Sequence, residues 1–150
     1  MTGHSGGSRR GFSLIEMMLV VSVMGILVLA GIPAFRRAQR DTALASGRNA
    51  LVATIARART VAISRGAPTA VRFGGDHQRV EMLLGGAWQT VGDTVRLEAG
   101  FGVQIFAPGD IRFLPTGMAI LPGGADQATY QVAKVDRIRT VRVTRYGRIQ

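Results

Sequence analysis

From Phe12 to Phe35 the chain carries one formal charge, Glu16, in a stretch that is otherwise apolar, and Arg9 and Arg10 stand just ahead of it. Met17–Ile32 is sixteen residues without a charge, and close to twenty if Phe12–Ile15 is added, against the roughly 20 that a helix needs to cross a bilayer. Whatever else the chain forms must therefore accommodate an apolar rod. Arginines immediately before such a rod hold that side in the cytoplasm, so the remainder is expected to point across the membrane. Hydropathy alone leaves two readings open. One is a secretory signal peptide, cut after small residues near Val28-Leu29-Ala30 to leave a mature N-terminus near Gly31; the other is a plain N-terminal anchor. Neither requires an acid in the apolar run, where a carboxylate costs about 2.5–3.5 kcal/mol and is kept mainly where a partner compensates it.

At 150 residues, the chain has room for one modest domain beside this segment. The formal charge of +10 is concentrated in two blocks, +6 over residues 36–65 and +5 over residues 137–150, while residues 66–136 carry −2. Lys134 is the only lysine among nineteen basic residues, and there is no cysteine. Disulfides and thiolate metal sites are thereby excluded, and the domain must be held by its core.

Pro33 falls inside the predicted helix, where it removes a backbone donor and should kink the helix rather than end it, because the apolar pattern resumes beyond it. Leu44, Leu51, Ile55, Ala58 and Ala62 form one stripe at helical spacing. The stripe stops at Arg65-Gly66-Ala67-Pro68, a helix-ending signal. The spacing thus predicts a helix over Phe12–Arg65, about 80 Å long at about 1.5 Å per residue. Arg36, Arg37 and Arg40 read as interfacial anchors that follow directly on the apolar segment, and Arg48 lies close to the stripe, as if that turn faced another subunit or the domain edge. From Ala67 onward, short β-prone runs alternate with glycine-rich turns: Thr69–Phe73, Arg79–Leu84, Trp88–Val91, Thr94–Leu97, Val103–Phe106, Ile111–Leu114, Met118–Leu121, Thr129–Val135 and Ile138–Thr144. The expected fold class is α+β, with antiparallel hairpins covering the apolar stripe of the helix. Trp88 and the phenylalanines are expected in the core, with Trp88 a candidate for an interface.

Arg9-Arg10 followed by Gly11-Phe12-Ser13-Leu14-Ile15-Glu16 and an uninterrupted apolar helix resembles the N-terminal signal of type IV prepilins and type II secretion pseudopilins. Ala56-Arg57-Ala58-Arg59-Thr60-Val61-Ala62-Ile63-Ser64-Arg65-Gly66 with Pro68 further resembles a helical stretch of the FimT/GspH branch of minor pilins and pseudopilins. The resemblance implies a leader over 1–11, a transmembrane and filament-core helix over 12–35, and a periplasmic pilin-like head over 36–150 that includes the amphipathic half of the helix. It implies that a prepilin peptidase cuts after Gly11 and that Phe12 becomes the methylated N-terminus. The carboxylate of Glu16 would then pair with the Phe12 amine of a neighbouring subunit, the partner that the physics of a buried charge demands. Gly11 and Phe12 are thus the expected processing residues, and Phe12, Glu16 and Pro33 the expected assembly residues. The implied partners are the peptidase, the inner membrane and other pilins or pseudopilins, and the implied role is structural, priming or capping a pilus or a secretion pseudopilus.

No catalytic constellation is present in the sequence, and neither an enzyme activity nor a cofactor is expected. His4 and His77 stand far from credible partners, the scattered aspartates fall mostly at turns, and their spacing matches no metal loop. The C-terminal strand carries Arg137, Arg139, Arg142, Arg145 and Arg148 with no acid among them. Such charge is a common protection for an edge strand. The alternative is a phosphate-binding strip for DNA, with Tyr146 available to stack on a base. Some FimT-type minor pilins take up DNA through a C-terminal Gly-Arg-x-Arg tail, and Gly147-Arg148 matches its first half, with Gln150 in place of the second arginine.

Overall fold

The computed structural model describes residues 12–150. The expected leader, including Gly11 and His4, lies outside the described residues. The described chain divides after Ala38 into an N-terminal helical unit and a head formed by the rest.

A single helix, α1 (Leu14–Arg65), runs through Pro33 without interruption. Its residues up to Arg40 are exposed, and burial begins where the apolar stripe does: Leu44, Leu51, Ile55, Ala58 and Ala62 are all at most 1% exposed. The helix stops where Gly66 takes a left-handed φ of 59°, a conformation that glycine adopts without the cost a Cβ would impose.

The strands are β1 (Thr69–Phe73), β2 (His77–Leu84), β3 (Ala87–Thr90), β4 (Val95–Arg96), β5 (Gln104–Phe106), β6 (Ile111–Phe113), β7 (Ala119–Ile120), β8 (Gln127–Lys134) and β9 (Arg137–Thr144). A short helix, α2 (Leu97–Phe101), precedes β5. Every strand pairing is antiparallel. The strands build two sheets, one ordered β3-β2-β1-β6-β7 with β4 also on β2, the other ordered β5-β8-β9. The architecture is α+β, as expected.

Both sheets close on the stripe of α1. On β1, alternation sends Thr69, Val71 and Phe73 toward the helix and Ala70 and Arg72 away from it; Thr69 Oγ1 donates to the Ala58 carbonyl at 2.8 Å. On the second sheet Val132 and the neighbouring Val103 crowd against Gly47, which has no Cβ to displace them. Phe113 and Tyr130 fill the space between, fully buried, with the Tyr130 ring 5.1 Å from that of Phe73. The Tyr130 hydroxyl donates to the Gly109 carbonyl, and burial pushes its phenol well above the usual tyrosine range.

Five expectations need correction. Leu97, expected at a strand end, opens α2 with its side chain wholly buried. Val135, expected within a strand, instead sits in the β8–β9 turn. Trp88 is not in the core. It lies half-buried on the outward face of the larger sheet, with the guanidinium carbons of Arg72 and Arg112 at 5.5 and 5.9 Å from its ring. Among the phenylalanines, Phe12, Phe35 and Phe106 are more than half exposed. His77, expected to stand alone, meets Asp76 at 2.8 Å.

Candidate functional site

The N-terminal turn begins with Ser13, whose hydroxyl accepts a hydrogen bond from the Glu16 backbone N–H at 3.2 Å. Ser13-Leu14-Ile15-Glu16 has the spacing of a capping box, which sequence reasoning passed over. The serine half of that motif is formed. The Glu16 carboxylate is exposed and lies in the first turn of α1, where the helix dipole favours negative charge. Among the described residues no hydrogen bond or ion pair engages it. Phe12, directly ahead of the cap, is 73% exposed, and Pro33 is an exposed helical residue. The helix is long and apolar enough to cross a membrane, with a mean hydropathy of 2.5 over its most apolar window.

At the other end of the chain the arginines do not converge. Alternation along β9 puts Val141 and Val143 in the core and directs Arg137 and Arg139 to that same side, beyond the core's edge, while Arg142 faces outward. Arg137 pairs with Asp41 on α1, and Arg145 pairs with Asp126 at 3.1 Å. Two of the five charges are thus met internally. Arg148, Ile149 and Gln150 fold back along β9, where Arg142 and Gln150 exchange both backbone hydrogen bonds at 2.9 Å. Tyr146 is 66% exposed.

The fold-back is held by Arg59. Its guanidinium donates to the carbonyls of Gly117 at 3.1 Å, Gly147 at 2.9 Å and Tyr146 at 3.3 Å. Gly147 is required at that approach, since a Cβ there would stand 2.6 Å from the Gly117 oxygen. The Arg57 guanidinium lies against Gly92, where a Cβ would come 2.1 Å from it. Within the Ala-Arg-x-Arg stretch of the helix, Arg59 is therefore a clamp on two loops and Arg57 packs beside Gly92, roles that require the tertiary structure to be seen. Arg48, awkward in the sequence, donates to the Thr140 carbonyl at 3.4 Å, so that turn faces the edge of the smaller sheet.

Among the described residues no group of three His, Cys, Asp or Glu side chains is placed to hold a metal. The most developed polar cluster is Arg72, Arg79, Glu81 and Asp110 on the outward face of the larger sheet. Burial works to raise the Glu81 carboxyl, but hydrogen bonds from Arg72 and Arg79 outweigh it and hold it below the usual glutamate range. Asp110 braces both Arg72 and the Phe73 backbone N–H. The cluster is internally neutralised and presents no nucleophile or base to a substrate.

Residues 7–32 match the prokaryotic N-terminal methylation motif. Residues 48–147, more than half of the chain, match the family of the type II transport protein GspH. The chain belongs to the GspH family. This GspH-family fold is similar to the crystal structure of the type IV minor pilin FimU of Pseudomonas aeruginosa, with a TM-score of 0.56 and 20% identity over 71% of this chain and 90% of that one. It is also similar to the minor pseudopilin EpsH from the type 2 secretion system of Vibrio cholerae, with a TM-score of 0.50 and 16% identity over 73% and 91% of the two chains. At these identities the likeness speaks for the fold. A search of curated proteins found no sequence match.

Proposed function

We propose that the protein is a minor pilin or pseudopilin, made as a membrane-inserted precursor, cut after Gly11, methylated at Phe12 and incorporated into a type IV filament or its secretion counterpart in a structural, priming role. One observation carries this reading: the methylation motif and the GspH head are joined by a single α-helix, and a carboxylate without a partner among the described residues stands in its first turn. After cleavage Ser13 would still cap the helix, and the Phe12 amine would lie beside it, available to the Glu16 carboxylate of an adjoining subunit. Desolvating two opposite charges together is tolerable; leaving one unpaired in an apolar filament core costs several kcal/mol, about 3–5 when one partner is removed. The head would then lie in the periplasm, held by the helix in the inner membrane before assembly. Its internally neutralised charge clusters support a structural rather than an enzymatic role.

Mass spectrometry of the native N-terminus tests the first step, and methylated Phe12 is the expected result; a mature chain beginning near Gly31 would mean an ordinary signal peptide. Glu16→Ala is expected to be cleaved normally but to be missing from sheared filaments, and its normal incorporation would remove Glu16 from assembly. DNA capture by the C-terminal strand has less to support it, because Arg137 and Arg145 are neutralised by Asp41 and Asp126 and Arg142 faces away from Arg139. Absence of duplex binding at low salt is the expected outcome.

A further inference from the structure

β9 is the last strand of the smaller sheet, and its outer edge is covered over only part of its length. Arg142 and Gln150 exchange both backbone hydrogen bonds at 2.9 Å, and the Thr144 N–H donates to the Arg148 carbonyl at 3.0 Å. In an antiparallel ladder every second residue turns its N–H and C=O to the same edge, so Ile138 and Thr140 share this edge with Arg142 and Thr144. Among the described residues no strand lies beside those two. The Thr140 carbonyl instead accepts a long hydrogen bond, 3.4 Å, from Arg48 on α1. Arg148–Gln150 is thus a short extended segment on an edge that runs on past it. Ile149 faces Val143 and is half-buried against the core. Arg59 holds the turn ahead of the segment, through the Tyr146 and Gly147 carbonyls, and leaves the segment itself to its strand pairing.

Charge narrows what this edge accepts. Arg139, Arg142 and Arg148, with Arg48 from α1, have no ion pair among the described residues, and Arg59 meets only carbonyls. The acids that reach β9 and its following turn are engaged, Asp41 by Arg137 and Asp126 by Arg145. Three further acids of the head have no ion pair among the described residues: Asp136 in the β8–β9 turn, two residues from Lys134; Glu98 in α2; and Asp93 between β3 and β4 of the larger sheet. From Arg139 to Arg148 the edge is therefore basic. Like charges directly opposite one another destabilise a strand pair, so a second copy of β9 is refused and an acidic strand is admitted. Nucleic acid fits less well. Arg139 and Arg142 project to opposite faces of the sheet, whereas an open row of backbone N–H and C=O groups is matched by another backbone strand.

We propose that the outer edge of β9 is a docking site for an extended acidic segment of another protein. That segment pairs antiparallel with Arg139–Thr144, takes the place of Arg148–Gln150, and carries apolar residues opposite Val141 and Val143 and acids opposite Arg139, Arg142 and Thr144. The site lies wholly in the head, so it holds or fails independently of processing at Gly11 and of assembly through Glu16. The probe is a fluorescent peptide, Glu-Ile-Glu-Val-Thr-Glu, whose residues fall in turn opposite Thr144, Val143, Arg142, Val141, Thr140 and Arg139. Its anisotropy is followed as the purified full chain is added in nonionic detergent, and saturable binding is expected. Proline in place of the threonine removes the donor facing Thr140 without altering charge, and the order Ile-Val-Glu-Glu-Thr-Glu breaks the alternation of faces; each should weaken binding about tenfold. Arg142→Glu should weaken it by a similar factor, and a peptide with lysine at its third position should restore binding to that variant. On binding, amide exchange should slow at Thr140 and quicken at Gln150. Equal binding of the proline or reordered peptide, failure of the charge swap, or unchanged exchange at both amides would overturn the proposal. Tighter binding of duplex DNA at the same residues would also overturn it and assign the edge to nucleic acid.

Discussion

Gly47 and Gln78 show how closely the head is fitted to its helix. Gly47 lies mid-helix, where replacing glycine by alanine ordinarily gains about 1 kcal/mol in helix propensity. A Cβ there would come 2.6 Å from Val103 Cγ2 and 3.2 Å from Val132 Cγ1, both on buried side chains, and overpacking of this kind costs about 1–3 kcal/mol. Gly47→Ala is therefore expected to lower stability, and Gly47→Ala with Val103→Ala to recover part of the loss; urea titration of the full chain in detergent, followed by the fluorescence of the single Trp88, measures both. Gln78 is fully buried, its Nε2 donates to the Ala50 carbonyl at 3.2 Å, and its Oε1 has no partner among the described residues. An orphaned buried acceptor costs about 1–3 kcal/mol, whereas removing it with an apolar group of similar shape is near neutral or favourable. The same titration should show Gln78→Met to be at least as stable as the parent, and a loss above about 1 kcal/mol would mean that the Ala50 contact outweighs the orphan.

Among the elements, the tie between α1 and the C-terminal turn is the one most open to a direct test. Arg59 meets three carbonyls from two separate loops, and hydrogen bonds from a charged donor are worth about 1.5–3 kcal/mol each at most, less where solvent reaches them. Arg59→Ala should cost about 2 kcal/mol and raise amide exchange at Tyr146 and Gly147 well before the β8–β9 ladder opens. Arg59→Lys should not rescue, because an ammonium cannot span the planar fork that these carbonyls occupy. Such ties explain what the sequence left illegible. The helix from its apolar stripe to Gly66, and each strand between its glycine turns, were readable because their signals are local. The division into two sheets was not, since β1 pairs with β6 and β5 with β8 across long stretches of chain. The role of Arg59 was hidden because its carbonyl partners lie far along the sequence. The Ser13–Glu16 cap was the reverse case: its spacing was in plain view, and the acid's place in the apolar run drew attention from it.

Across the whole molecule, charge sets the pH range of the head. The Glu81 carboxyl lies below the usual glutamate range when folded, so in the acid limb the unfolded chain binds more protons than the folded one. The stabilisation from its pairs with Arg72 and Arg79 is fully present above the ordinary glutamate value of about 4.3 and is lost as pH falls through the lower folded value. Self-repulsion in a chain of formal charge +10 grows over the same range as carboxylates are neutralised. Tyr130 governs the opposite limb. Its buried phenol ionises less readily folded than unfolded, so its contribution is fully present below the ordinary tyrosine value of about 10 and is lost as pH rises beyond it. Melting temperatures of the full chain in detergent should therefore form a plateau that falls away at both ends. Glu81→Gln should lower the plateau, because Arg72 and Arg79 lose a charged acceptor, and should flatten the acid limb while leaving the alkaline limb in place. Tyr130→Phe should remove most of the alkaline limb alone. If Glu81→Gln left the acid limb as steep as before, Glu81 and its pairs with Arg72 and Arg79 would not be the acid-sensitive part of the head.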